Sequence, residues 1–224
     1  MIERSPRGTG ILTIHQRATN PEGVLSSLLA DCIEVAGLLG QHRYLQWMQA
    51  ESDGYGPDLP LPAYRIKPRV QLLAWMPGSH WMQAPVTDEA EQALAAFDIR
   101  DPITRVQNEF EAHKGKGGMR LDLSEEQQAE LRAKANLNTR LALAMPSESY
   151  ARIVASVRVM IQLWSKDLLN AGIVSCQRPD REALAVAAEL DALFPDMARR
   201  IQELVDEMVS QTNQREGLFK RLFR

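Results

Sequence analysis

Thr19-Asn20-Pro21-Glu22-Gly23-Val24-Leu25 opens the stretch whose reading decides the fold. Thr19 or Asn20 can cap a helix, and Pro21 suits a first turn, where the missing N–H has no intrahelical partner to lose. Val24, Leu25, Leu28, Leu29, Ile33, Ala36 and Leu39 then recur every three to four residues, which predicts a helix over about residues 22–39 with one apolar face. Gly40 is a natural stop. Tyr44, Leu45, Trp47 and Met48 give a second helix ending near Gly54, so the unit reads as a helical hairpin. Gly54-Tyr55-Gly56-Pro57, followed by Pro60 and Pro62, is a break that no helix survives.

Downstream the pattern changes once. Tyr64, Ile66, Val70, Leu72, Leu73, Trp75, Trp81 and Val86 are β-branched, aromatic or aliphatic, and Pro77-Gly78-Ser79 supplies a turn, so residues 64–86 read as a short antiparallel hairpin and the one clear strand region. Helices are expected at about 88–97 and 102–112, the latter capped by Asp101. His113-Lys114-Gly115-Lys116-Gly117-Gly118 reads as a loop, and Ser124 with Gln127 has capping-box spacing. Helical patterns resume to Ala144, break at Met145-Pro146, and run from Ser147 to about Asn170, with Gly172 as terminator. Cys176 to Asp180 reads as a linker. Leu190, Leu193, Met197, Ile201, Leu204 and Met208 then step like a coiled-coil seam that Pro195 should kink. The expected fold is mainly α: a helical bundle with a small antiparallel β-hairpin insert and a C-terminal helical arm. Its parts are an N-terminal extension over 1–18, a helical domain over 19–174 and a linker with arm over 175–224.

The 224 residues carry 45% hydrophobic and 25% charged side chains, a composition that excludes disorder and a disulfide-dense miniprotein. A formal net charge of −3 gives no global attraction to phosphate backbones, so any nucleic-acid contact must be local. Cys32 and Cys176 are far apart and sit in apolar patterns, which fits a reducing cytoplasm. No signal-type apolar segment and no run of about 18 apolar residues occurs, which leaves peripheral contact with the inner membrane as the membrane option.

Nucleophile elbow, P-loop and dinucleotide fingerprint are absent from the sequence, and Gly115-Lys116-Gly117-Gly118 lacks the phosphate-loop pattern. His15, His42, His80 and His113 are dispersed, so neither a metal site nor a cofactor is expected. The pairs Glu125-Glu126 and Asp206-Glu207 sit where helix starts and solvated faces want charge. These patterns name no catalytic residue. Trp75-Met76 and Trp81-Met82 flank the hairpin turn and either cover the helical core or present a partner surface.

The sharpest local feature is the C-terminus. Arg215, Lys220, Arg221 and Arg224 against Glu216 give 4 − 1 = +3 over the last ten residues. As a helix, Leu218, Phe219, Leu222 and Phe223 share a face that Lys220 and Arg221 border, which suits an anionic lipid surface or an apolar groove on a partner. Packing back onto its own domain is the alternative.

The run from Leu39 to Tyr55 followed by Leu59 to Arg65 resembles the N-terminal pattern of the AbiTii-like abortive-infection family. In that pattern a helix with Leu-Gly, then Trp and Glu, leads into Gly-Tyr and Pro-x-Tyr-Arg. The matching residues are Leu39, Gly40, Trp47, Glu51, Gly54, Tyr55, Pro62, Tyr64 and Arg65, and Ser52-Asp53 stands where the pattern has Leu-Asn. The resemblance extends over roughly residues 22–174. It implies a bacterial antiphage protein, one half of a system in which infection triggers growth arrest or death, and it supplies no reaction.

Three readings are open. The first is a non-enzymatic defence component that forms a homo-oligomer or engages a partner protein or an anionic membrane surface through its arm. The second is a toxic effector on nucleic acid or nucleotides, with Glu51, Tyr55, Tyr64, Arg65 and His80 gathered in a cleft and Arg65, Lys67 and Arg69 as a basic strip. The third is an immunity partner that restrains a toxin. Structurally, Gly54 permits a positive φ, Pro62 enforces extension, the aromatics pack a corner, and Glu51 and Arg65 can pair across it.

Overall fold

The first helix of the hairpin forms, but it begins at Leu25 rather than at Glu22. Asn20 Oδ1 accepts the Glu22 N–H at 3.1 Å, a side-chain turn that holds Pro21 and Glu22 outside the helix. The structure, a computed structural model, describes residues 10–66, 70–78, 80–87, 98–114, 118–121, 123–174, 179–201 and 203–204. The expected helix at 88–97, Lys67 and Arg69, Cys176 and the C-terminal segment from Leu218 to Phe223 lie outside the described residues. The described chain is mainly α with a small antiparallel sheet, as the pattern reading predicts. It divides into two compact units, Met1–Pro60 with Asp101–Thr104 and Val154–Arg224, and Leu61–Arg100 with Arg105–Ile153.

In the first unit, α1 (Ile11–Thr19) buries Ile11, Ile14 and Ala18. The sequence pattern assigns no element there, because nine residues hold too few helical turns for a period to count on. Helix α2 (Leu25–Leu38) buries Leu25, Leu28, Leu29, Cys32, Val35 and Ala36. It ends in a Schellman motif: Gly40 sits at φ 66°, its N–H reaches the Gly37 carbonyl, and the Gln41 N–H reaches the Ala36 carbonyl at 2.9 Å. Helix α3 (His42–Asp53) comes next and stops at Gly54, φ 92°.

Two later helices close this unit. Of the helix Ser147–Asn170, which runs over the predicted range, the part from Val154 onward belongs here and buries Val157, Ile161, Trp164 and Leu168 at steps of four and three. Its polar side chains tie down the chain entering α2. Arg158 is 7% exposed and donates to the Asn20 and Gly23 carbonyls at 2.6 Å each, and Gln162 donates to the Ala18 carbonyl. A charged donor contributes about 1.5–3 kcal/mol per hydrogen bond of this kind. Burial also holds the Arg158 pKa below its ordinary value, with Glu22 opposing. Arg181–Ala192 is capped by Asp180, whose carboxylate accepts the Ala183 N–H, and residues 194–201 continue helically after Leu193.

The expected coiled-coil seam is corrected here. Leu193 is 53% exposed, while Ala187 and Asp191 take the inward face before it; of the seam positions among the described residues Ile201 is buried. The break at Leu193, two residues before Pro195, rotates the face away from a continuous heptad.

The second unit holds a four-stranded antiparallel sheet in the order β2-β1-β4-β3, where β1 is Gln71–Trp75, β2 Trp81–Gln83, β3 Met119–Leu121 and β4 Leu141–Met145. The expected hairpin is β1 with β2, closed through Gly78 at φ 78°. Strand β4 overturns the expected helical continuation to Ala144, and β3, before the helix start at Ser124, adds a strand beyond the one region expected. Leu-Ala-Leu-Ala-Met suits a helix by propensity, and pairing to β1 and β3 overrides it. The helix Ile103–His113, of which Arg105 onward belongs here, starts one residue after the predicted Pro102. Glu125–Ala135 has the complete capping box of Ser124 and Gln127 and ends with Asn136 in the left-handed region.

Candidate functional site

The period of two along strands fixes which side chains share a sheet face. Trp75 opposes Trp81, Leu73 opposes Ala142, and Arg120 opposes Ala144. The Trp75 N–H bonds to the Arg140 carbonyl at 2.9 Å, one step beyond the Ala74–Leu141 pair. Trp81, Arg120 and Arg140 therefore come to one face although they stand far apart along the chain. The helix Glu125–Ala135 adds Arg132 and Gln128.

Gln128 behaves as a strand partner. Its Oε1 accepts the Leu141 N–H at 3.0 Å and its Nε2 donates to the Leu141 carbonyl, which satisfies the start of β4 and anchors the helix beside it. Arg132 Nε donates to the Gln128 carbonyl at 3.2 Å. These elements enclose a cavity of about 240 Å³ lined by Trp81, Arg120, Glu125, Gln128, Arg132 and Arg140 among others. The Arg120 guanidinium lies 5.3 Å and that of Arg140 6.0 Å from the Trp81 ring centroid, within cation–π range. Trp75 meets Trp81 edge to face at 5.5 Å and stiffens the platform. Glu125, whose side chain is fully solvent-exposed, approaches Arg132 at 4.0 Å, a contact of small energy.

The residues that carry the family pattern lie elsewhere and are built into the fold. In the first unit Leu39 is buried beside the Gly40 stop, Trp47 is 6% exposed, and the Tyr55 hydroxyl donates to Glu51 Oε1 at 2.8 Å. Glu51 itself is wholly buried. In the second unit the Pro62 carbonyl accepts the Arg65 N–H, a bond carried by the peptide chain across the turn, Tyr64 is buried, and Arg65 is wholly buried. Arg65 Nη1 donates to the Ile99 carbonyl at 3.0 Å while its own carbonyl accepts the Ile99 N–H. His80 of the same unit is exposed.

Among the described residues no three His, Cys, Asp or Glu side chains converge to hold a metal ion, and no helix is long and apolar enough to cross a membrane. The arginine cluster escapes the sequence reading because its members come from β3, a helix and the residue before β4. With β4 read as helix, nothing brings them together. The Trp-Met hairpin, which reads as core cover or partner surface, is the one signal that touches it.

No curated protein and no solved structure matches the chain. The AbiTii family model matches residues 11–185 of 224, from the first residue of α1 into Arg181–Ala192. The chain belongs to the AbiTii family, and that membership supports a role in abortive-infection defence.

Proposed function

We propose that this chain serves abortive-infection defence by association, assembling with itself or with a partner protein, with the segment Leu218-Phe219-Lys220-Arg221-Leu222-Phe223 as a contact for that partner or for an anionic membrane surface. The observation that supports this most is the fate of the family pattern. Glu51 and Arg65, its most reactive side-chain types, are wholly buried and hydrogen-bonded, and Tyr55 spends its hydroxyl on Glu51. Such groups hold the fold of the unit each belongs to. The segment to residue 201 is engaged in the first unit through Ala187, Asp191 and Ile201, so the cationic amphipathic composition belongs to the residues beyond it.

The test compares the native mass of the purified full chain with that of a chain ending at residue 204. Truncating earlier removes buried Ala187 and Asp191 and confounds assembly with unfolding. The expected result is an oligomer or a co-purifying companion for the full chain, lost or reduced on truncation, or sedimentation with anionic vesicles that truncation abolishes. A companion that is toxic by itself would assign the immunity role. A full chain that stays monomeric at micromolar concentration, without companion or vesicle binding, overturns the proposal.

A further inference from the structure

The structure assigns the cavity around Trp81 in the second unit as a binding site for a phosphomonoester, the terminal phosphate of a nucleotide or of a nucleic-acid strand. This inference is independent of the association reading above, because it concerns a different unit and a different surface.

Charge is the first argument. Arg120, Arg132 and Arg140 against Glu125 give 3 − 1 = +2 among the lining side chains. A phosphomonoester carries about −1.5 to −2 at neutral pH and offers three oxygens, more charge and more acceptors for these guanidinium groups than a single carboxylate brings.

Geometry is the second. A guanidinium drawn to an indole ring keeps its N–H groups in its own plane, where paired phosphate oxygens are recognised along the edge. Arg120 and Arg140 both stand within cation–π range of Trp81, at 5.3 and 6.0 Å. Arg132 is set by its Nε bond to the Gln128 carbonyl, which leaves the two terminal nitrogens beyond it. The carboxylate that approaches Arg132 is fully exposed and 4.0 Å away, so an incoming phosphate displaces it at small cost.

Size is the third. At about 240 Å³ the cavity falls below the roughly 300–1,000 Å³ of pockets that enclose whole drug-sized ligands. It admits a phosphate and the start of its ester and leaves the remainder of the ligand outside. Trp81, on the edge strand of the sheet, is the aromatic side chain that lines the cavity beside the arginines.

The experiment titrates the full chain calorimetrically at low ionic strength with inorganic phosphate, a 5′-nucleoside monophosphate, its parent nucleoside, and an oligonucleotide with and without a 5′-phosphate. The monophosphate should bind at least about tenfold more tightly than the nucleoside. Arg140→Gln should weaken it about tenfold, the usual size of one lost charge-assisted hydrogen bond, and Arg120→Gln/Arg140→Gln by more. Both positions are exposed, and thermal unfolding confirms that the variants fold. Tighter binding of the 5′-phosphorylated strand than of the mononucleotide assigns a strand end, and equal binding assigns a free nucleotide. The assignment is overturned by equal binding of nucleoside and monophosphate, by wild-type affinity in the folded double variant, by equal competition from a dicarboxylate, or by no binding of any phosphate compound.

Discussion

Asp191 and Arg43 cap each other's helices across 148 residues of sequence. The Asp191 carboxylate accepts the Arg43 N–H at 3.0 and 3.1 Å and the Tyr44 N–H at 3.1 Å, filling the start of α3, and Arg43 Nη1 donates to the Asp191 and Ala192 carbonyls at 3.4 and 3.2 Å. Gln41, the residue in the capping position, makes no local cap. Its amide instead donates to the Ala187 carbonyl at 3.0 Å and accepts the Trp164 indole N–H at 2.8 Å. Tyr44 completes the junction, 5.1 Å from Phe194 edge to face.

Asp191→Ala should cost about 1–3 kcal/mol in urea unfolding, because it removes a helix cap and leaves two N–H groups in a buried site. Asp191→Asn, which keeps an acceptor, should recover part of it. Equal loss for the two variants would locate the effect in charge rather than in capping.

Gly118→Ala should destabilise the second unit by about 2–4 kcal/mol through strain and overpacking. Gly118 sits at φ 136°, and a Cβ there would collide with the Met145 carbonyl oxygen and lie 2.9 Å from Pro146 Cα, both of them backbone with nowhere to go. Hydrogen exchange should rise first in β3 and β4, and unchanged protection there would refute the argument.

Burial raises the Asp167 pKa, opposed by Arg200 and Lys166. A carboxyl with a raised folded pKa adds stability below its unfolded pKa and loses it as pH rises through the folded value. Asp167→Asn should therefore be more stable than wild type at neutral pH, with the gap closing as pH falls below about 4. Thermal unfolding between these limits checks the sign, and a gap that widens on acidification contradicts it.

Cys32 is wholly buried, and that burial, with Asp31 adding to it and Arg17 opposing, pushes its thiol far above the ordinary range. In a Cys176→Ser background an aromatic disulfide reagent should find no reactive thiol in the native protein and one after unfolding. Rapid native reaction would show that α2 opens locally.

The legible helices carry their information locally. The apolar face of α2, the Gly40 and Gly54 stops, the capping box of Ser124 and Gln127, and the limits Ser147–Asn170 each depend on residues within a turn or two. Leu141–Met145 reads wrongly as helix because alternating leucine and alanine satisfy a helix as well as a buried strand. α1 is not legible because nine residues give too few periods to weigh.

The sequence by itself determined the mainly helical class, the hairpin around Gly78 and the family, since periodicity, caps and a spaced pattern are properties of neighbours along the chain. Tertiary structure alone decided that Asp191 serves α3, that Gln41 joins Trp164 to Ala187, and that Trp81, Arg120, Arg132 and Arg140 share a cavity. Each of those relations joins residues distant in the chain, and such partners are selected by strand register and helix packing, which no local propensity encodes.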